Sequence, residues 1–344
     1  MYTHSLRDEH FMRRAMELAL LGRGHVSPNP MVGCVVVHND TIIGEGWHRQ
    51  YGQAHAEVNA IAAVADKMFL PQSTVYVNLE PCAHFGKTPP CADLLVQCRV
   101  KRVVVSNVDP NPLVDGGGIK KLRQAGIEVT TGVLEKEGHA LNRRFFNFFQ
   151  HKKPYIILKW AQTADGFLAK ENYDSKWISN TFSRKLVHKW RAEEDAILVG
   201  TRTVFHDNPS LSVREWSGRN PVRIVIDRFL KLSRTLKVFD GTQPTLVYNV
   251  LKHEEHPNLI LIRLDEDDFL HRLMEDLYRR NIQSVIVEGG AFTLQSFIDA
   301  GLWNEARVFT APRAFKKGIP APQLRGTLVA TEKVADDWLQ IFFR

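Results

Sequence analysis

Two short fragments of this 344-residue chain hold side chains that could do chemistry together. His55-Ala56-Glu57 offers an imidazole and, two residues on, a carboxylate. Glu80-Pro81-Cys82 and, after eight intervening residues, Cys91 offer two thiols. Structural zinc sites are closed by four side chains, whereas a catalytic site keeps three and leaves the fourth tetrahedral position to water. One His and two Cys make three, so His55, Cys82 and Cys91 are the candidate zinc ligands. Glu57 then sits close enough to face the bound water without being a ligand, which is the place for a group that carries protons in metal-assisted hydrolysis. A single His or Cys is more often a core or surface residue than a ligand. The case rests on the two fragments together.

The elements around them suit that task. Ala54 to Val64 reads as a helix that begins at His55, with Val58, Ile61 and Ala62 available for packing. Thr74 to Leu79 reads as a strand running into Glu-Pro-Cys, and Pro89-Pro90 let a second helix start at Cys91 and run to about Gln97. Both ligand groups then lie at helix starts, where the dipole favours thiolates. In this context the fragments resemble the His-x-Glu and Pro-Cys-x-x-Cys signature of zinc deaminases of nucleobases, except that here the cysteines stand far apart.

The wide spacing makes the resemblance narrower. Glu80-Pro81-Cys82-Ala83-His84-Phe85-Gly86-Lys87-Thr88-Pro89-Pro90-Cys91, with Ser27-Pro28-Asn29-Pro30-Met31-Val32-Gly33 and Gly44-Glu45-Gly46-Trp47-His48 upstream, resembles the deaminase half of the bifunctional riboflavin biosynthesis family. That resemblance implies a cytidine-deaminase-like three-layer α/β domain in which Asn29, His48, His84 and Lys87 position a pyrimidine and its phosphate.

Composition bounds the rest. A chain of 39.3 kDa exceeds one typical domain. With 44% hydrophobic and 24% charged residues it should fold rather than stay disordered. A net charge of +7 could attract nucleic acid, a phosphorylated small molecule or an anionic dinucleotide, but no Lys/Arg block of a nucleic-acid tail is present. Four cysteines are no disulfide scaffold, and Cys34 and Cys98 are expected to be buried thiols. The polar N-terminus lacks a signal-peptide core and no run of 18 apolar residues occurs. A cytoplasmic protein, with no membrane partner, is expected.

In chain order, Asp8 is expected to cap a helix to about Leu21. A hairpin of residues 32–37 and 41–44 turns at Asn39-Asp40. A strand at 102–106, a helix at 119–125, a strand at 127–130 and one last helix at 135–150 follow. The boundary is placed at His151-Lys152-Lys153-Pro154, giving domains 1–150 and 151–344. The second half reads as another α/β unit, with strands near 155–161, 196–200, 221–227, 245–248, 258–263, 283–288 and 305–311 and helices near 181–193, 267–280 and 292–300. In it Val287-Glu288-Gly289-Gly290 places a Gly pair between strand and helix, a turn that lets backbone amides approach a phosphate. A plain tight turn has the same pattern.

That segment, with Lys159-Trp160-Ala161-Gln162-Thr163-Ala164-Asp165-Gly166, Trp177-Ile178-Ser179 and Asp207-Asn208-Pro209-Ser210-Leu211, resembles the family's reductase half, whose fold is similar to dihydrofolate reductase. The resemblance implies an NADPH site at Ala161, Trp177, Thr203, Asp207, Gly289, Gly290, Ala291, Phe292 and Thr293, continuing to Ser296. It implies substrate contacts at Ser175, Arg191, Leu211, Arg214 and Glu288, with Lys159 and Glu288 beside the reacting carbon. Zinc and NADPH are the implied cofactors, and a homo-oligomer, dimer or tetramer, is expected. Two positions depart from the family. Phe167 replaces the usual Lys or Arg, and Arg228 stands where Ser is common, supplying either a cation for the cofactor's 2′-phosphate or an exposed strand end. The short tail after Pro320 predicts an abbreviated last strand pair. The alternatives are a nucleobase or nucleic-acid deaminase with a non-catalytic second domain, separable by steeply salt-dependent binding, and a second domain serving only for dimerisation or binding.

Overall fold

Valine-rich strands carry the first half of the chain. The computed structural model describes residues 5–85, 89–112, 114–174 and 178–344, and Met1–His151 and Lys152–Arg344 form two compact units. The first holds α1 (Leu6–Leu20), β1 (Gly33–His38), β2 (Thr41–Trp47), α2 (Ala56–Ala63), β3 (Thr74–Leu79), α3 (Cys91–Gln97), β4 (Arg102–Asn107), α4 (Gly117–Gln124), β5 (Glu128–Thr131), α5 (Glu135–Leu141) and α6 (Arg143–His151). Its sheet has the order β2-β1-β3-β4-β5, with β1 antiparallel to both neighbours and β3, β4 and β5 parallel.

Successive strand residues point to opposite faces, and both faces are covered. Val36, Val75, Val77, Val103 and Val105 pack with Ala56, Ala60, Ala92, Leu95 and Leu122 of α2, α3 and α4. Val35, Val37, Tyr76 and Val104 pack on Phe11, Met12, Ala15 and Met16 of α1. The result is a helix-sheet-helix sandwich. The β1–β2 hairpin turns as expected at Asn39 and Asp40, whose φ of 47° and 60° match the twist of the flanking strands.

Three local expectations are corrected. Helix α1 is capped by Ser5, whose Oγ accepts from the Asp8 amide at 3.1 Å. Asp8 is instead buried, taking both Arg102 Nη atoms at 2.9 and 2.8 Å and the Tyr76 hydroxyl at 2.9 Å. The helix expected over 135–150 is broken between α5 and α6 at Asn142. The Asn142 amide accepts from Met31 N and donates to Met31 O, both at 2.8 Å, and so draws the chain out of line. Cys34 is fully buried, but Cys98 is only half-buried.

The second unit holds β6 (Tyr155–Thr163), β7 (Phe167–Ala169), α7 (Thr181–Glu193), β8 (Ala196–Gly200), α8 (Thr201–Asp207), β9 (Val222–Ile226), β10 (Thr245–Asn249), β11 (Glu254–His256), β12 (Leu259–Arg263), α9 (Phe269–Arg279), β13 (Ser284–Val287), α10 (Ala291–Asp299), β14 (Glu305–Ala311), β15 (Ile319–Pro320), β16 (Thr327–Val334) and β17 (Asp337–Phe343). The large sheet runs β11-β12-β10-β9-β8-β13-β6-β14-β17-β16, parallel from β12 to β14 and antiparallel at both ends. Alternation again sorts the core. Ile156, Leu158 and Trp160 face Leu273, Leu277, Leu294 and Phe297 of α9 and α10, whereas Tyr155 and Ile157 face Val187, Trp190 and Val204 of α7 and α8.

The last strand pair is not abbreviated. Strands β16 and β17, of eight and seven residues, make a full hairpin on β14. The seven-residue α8, unforeseen in the sequence, follows β8 without a loop.

Candidate active sites

The β3 end and the starts of α2 and α3 bring His55, Cys82 and Cys91 together. His55 is the N-cap of α2 and Cys91 opens α3. His55 Nδ1 lies 3.3 Å from Cys91 Sγ and 3.6 Å from Cys82 Sγ, and all three ligand atoms fall within 4.8 Å of one another. Zn–N and Zn–S bonds of about 2.0 and 2.3 Å in a tetrahedron separate N from S by about 3.5 Å, so the trio matches a zinc ion. The donor chemistry agrees. Hydrogen bonds from Cys91 and His55 pull the Cys82 thiol down to about 4, while the same contact with Cys82, together with burial, pushes Cys91 up. One thiolate forms readily, and a second beside it calls for a cation.

Glu57 is in the first turn of α2, 3% exposed, and outside the ligand cluster. Burial, and then the Cys82 thiolate, raise its carboxyl to about 7. His48 is buried, not an exposed loop residue, and its ring centroid is 5.4 Å from that of His55. Its Nδ1 donates to Ala54 O at 3.1 Å, which leaves Nε2 to accept from Asn29 Nδ2, also at 3.1 Å. Burial lowers the His48 pKa and keeps the ring neutral. The half-buried His84 has a buried Nδ1 with no hydrogen-bond partner among the described residues. Lys87 lies outside the described residues.

Supporting side chains went unnoticed in the sequence. Asn78 accepts from Gly33 N at 2.8 Å and donates to Met31 O at 3.0 Å, so Asn78 and Asn142 together clamp the segment that carries Asn29. Glu80, buried beside Cys82, accepts from the amides of Asp109, Gly116, Gly118 and Ile119 at 3.2, 3.0, 2.9 and 3.1 Å. Glu80→Gln puts an NH2 group against these donors. Each amide left unpaired costs about 1–3 kcal/mol, so denaturant unfolding of the first unit should shift to lower midpoint together with a reduced zinc content.

In the second unit, Lys159 on β6 and Glu288 after β13 are neighbours across the parallel pair that matches Leu158 with Val287. Glu288 takes Arg191 Nε and Nη2 at 2.8 and 2.9 Å, and Lys159 Nζ lies 3.5 Å away. Burial alone would raise Glu288, but Arg191 and Lys159 overcome it and hold the carboxyl down to about 2. Burial lowers Lys159 despite that contact. The trio keeps one net positive charge. Arg191 commits its fork to Glu288 and one further bond, 3.3 Å, to Ser212 O, leaving only part of its donor set for a substrate.

Arg214 donates to the hydroxyls of Ser210 and Ser212. The Leu211 side chain is buried in the core with Trp190 and Val187, so only its backbone is left for a ligand. Ser175 and Trp177 lie outside the described residues. Thr203, Asp207, Gly290, Ala291, Phe292 and Thr293 line one pocket of about 610 Å³ with Gly200, Thr201, Arg202, Asp227 and Arg228. Ala161 and Gly289 are not among its lining residues. Thr203 Oγ1 accepts from Gly290 N at 2.7 Å. A Cβ on Gly289 would come within 2.9 Å of Thr293, so the Gly pair sets the close approach of α10 to the strand ends. A strand-end pocket of this size, with a helix start and cations, fits an anionic dinucleotide.

Comparisons with known proteins agree with both halves. Residues 5–107 match the family model "Cytidine and deoxycytidylate deaminase zinc-binding region", and residues 154–331 match "RibD C-terminal domain". The riboflavin biosynthesis protein RibD of Aquifex aeolicus is 42% identical over 318 residues, covering 91% of this chain and 89% of that one. The Escherichia coli RibD is 37% identical over 363 residues, covering 96% and 94%. Among solved structures, a diaminohydroxyphosphoribosylaminopyrimidine deaminase/5-amino-6-(5-phosphoribosylamino)uracil reductase from Thermotoga maritima superposes with a TM-score of 0.90 at 37% identity, covering 98% of each chain. With a His-Cys-Cys trio that could hold a metal in one unit, a dinucleotide-sized pocket in the other, and relatives alike along nearly the whole length, this chain belongs to the RibD family of riboflavin biosynthesis proteins.

Proposed function

We propose that this chain performs two consecutive steps of riboflavin biosynthesis: hydrolytic deamination of a diaminopyrimidinone ribosylamine 5′-phosphate by residues 1–150, then NADPH-dependent reduction of its ribosyl side chain to ribityl by residues 151–344. The observation that carries the reading is the convergence of His55, Cys82 and Cys91 with the buried Glu57 beside them.

His55, Cys82 and Cys91 would hold zinc, which when bound supplies a Lewis acid that activates water at the open coordination position. Glu57 would hold and move the protons of the hydrolysis, toward the ring nitrogen and the departing amine, a task suited to a carboxyl raised to about 7. Neutral His48, with both ring nitrogens engaged, holds the Asn29 amide in place, and Asn29 presents its remaining polar edge to the pyrimidine. His84, whose Nδ1 has no partner among the described residues, and Lys87 are left for ring and phosphate. In the second unit the pocket lined by Thr203, Asp207 and Gly290 to Thr293 would hold NADPH, which when bound would supply the hydride for reduction of the sugar. Lys159, Arg191 and Glu288 hold the reacting sugar in a site of net positive charge, and Ser175, Arg214 and the Leu211 backbone bind its phosphate and hydroxyls. The protein is a homo-oligomer, dimer or tetramer, of the cytoplasm. No described helix is long and apolar enough to cross a membrane.

A coupled assay tests the reading by following ammonia release and NADPH absorbance separately. Zinc-replete protein should release ammonia first and consume NADPH afterwards. Stripping the metal with a chelator should abolish ammonia release while NADPH oxidation on pre-deaminated substrate continues. NADPH oxidation that stays flat on deaminated substrate would make the second unit a binding module.

A further inference from the structure

The segment that presents Arg214 is bent and is held from several sides. Asn208 and Leu211 both take left-handed backbone conformations, with φ of 39° and 55°. A residue such as Leu stays there only where its surroundings over-determine the backbone, and four side chains do so. Arg223, fully buried, donates from Nε to Ser210 O at 3.0 Å. Arg191 donates to Ser212 O at 3.3 Å, Asn220 Oδ1 accepts from Val213 N at 2.8 Å, and His188 Nδ1 accepts from Arg214 N at 3.2 Å. The exposed Arg214 side chain therefore departs from a backbone amide that an imidazole holds.

His188 differs from the other three. It lies on α7 one turn before Arg191 and is 4% exposed. Arg stays charged and an amide stays neutral over the pH range in which an imidazole changes. To accept from Arg214 N, His188 must be neutral with its proton on Nε2. Burial, and then the positive charges of Arg191 on its own helix and Arg214 on the segment, lower its pKa below the ordinary 6.5, against the weaker pull of Glu215 and of Glu288 at the end of β13. A proton arriving on Nδ1 would set one N–H against another and release the Arg214 amide.

We propose that His188 is a positioning residue for the reduction: it acts through Arg214, whose amide it takes, and so aims the Arg214 guanidinium at the sugar phosphate of the substrate. The proposal rests on the reading of the second unit as a reductase that binds its substrate through Arg214. Steady-state NADPH oxidation by the full-length protein on deaminated substrate tests it with two variants. His188→Leu removes the acceptor and should raise KM about ten- to a hundredfold, the range for a buried donor left unpaired, with little change in kcat because Lys159 and Glu288 stay in place. His188→Asn keeps an acceptor near the place of Nδ1 and should return KM to near the wild-type value at neutral pH. As pH falls below 6.5, the wild-type KM should climb relative to that of His188→Asn, since ionisation of the substrate's own phosphate is common to both. That comparison stands even if His188→Leu fails to fold, which a titration of NADPH affinity would reveal. A wild-type KM in His188→Leu, equal impairment of the Leu and Asn variants, or parallel pH profiles for wild type and His188→Asn overturns the proposal while leaving the reductase in place. A wild type that oxidises no NADPH overturns the reading of the second unit and the proposal with it.

Discussion

Glu57→Gln should release ammonia at least about a hundredfold more slowly than the wild type, and up to about ten-thousandfold, the span of a lost general acid–base group. The substitution changes no volume in a buried position and removes no ligand, since Glu57 stands outside the His55, Cys82 and Cys91 cluster. Zinc content, measured by atomic absorption, should stay at one per chain, and deaminated substrate should still oxidise NADPH at the wild-type rate. That pairing is informative. Zinc lost together with activity would make Glu57 a ligand or a structural group and would remove it from proton transfer.

Glu288→Gln should be the most damaging single change in the second unit. It leaves the Lys159 and Arg191 charges, whose side chains are 14% and 13% exposed, without their shared counter-ion. Breaking a buried ion pair from one side costs about 3–5 kcal/mol. For a unit of this size that is a fall in Tm of about 10 °C, together with loss of hydride transfer. The effect has a defined pH window. The Glu288 carboxyl is held from its ordinary 4.5 down to about 2, so its contribution is fully present above pH 4.5 and is lost as pH falls toward 2. The stability gap between wild type and variant should be constant from neutral pH to about 5 and then close on acidification. A gap that widens in acid would refute the assignment. Calorimetry of both proteins across that range decides it.

The parts of this molecule that could be read from the sequence are those whose cause is local. Helix α3 starts at Cys91 because Pro89 and Pro90 precede it, the hairpin turns at Asn39-Asp40 because those residues tolerate positive φ, and α10 follows a Gly pair. The convergence of His55, Cys82 and Cys91 was legible for the same reason, through residue types in fixed context. What escaped depends on distant partners. The apolar pattern of Phe145, Phe146, Phe148 and Phe149 runs on from α5 and argues for one helix, yet the break at Asn142 answers to Met31, 111 residues away. Asp8 looked like a cap because acids favour a first turn, but its partner Arg102 lies 94 residues downstream. Nothing near Glu80 announces its four amide donors, the closest of which is 29 residues on. The tail after Pro320 looks too short for a full strand pair, yet a tight turn near Ala335 lets β16 and β17 use nearly all of residues 327–343.

The two cysteines of the candidate metal site are joined directly to each other. Cys91 N donates to Cys82 Sγ at 3.3 Å and Ala92 N donates to Cys82 O at 3.1 Å, while Glu80 anchors the chain just before Cys82. The positions of the two thiols are therefore held at both ends of the intervening segment by bonds that do not involve that segment. A segment tethered at both ends in this way is an interchangeable cassette, open to rewriting while Cys82 and Cys91 keep their places.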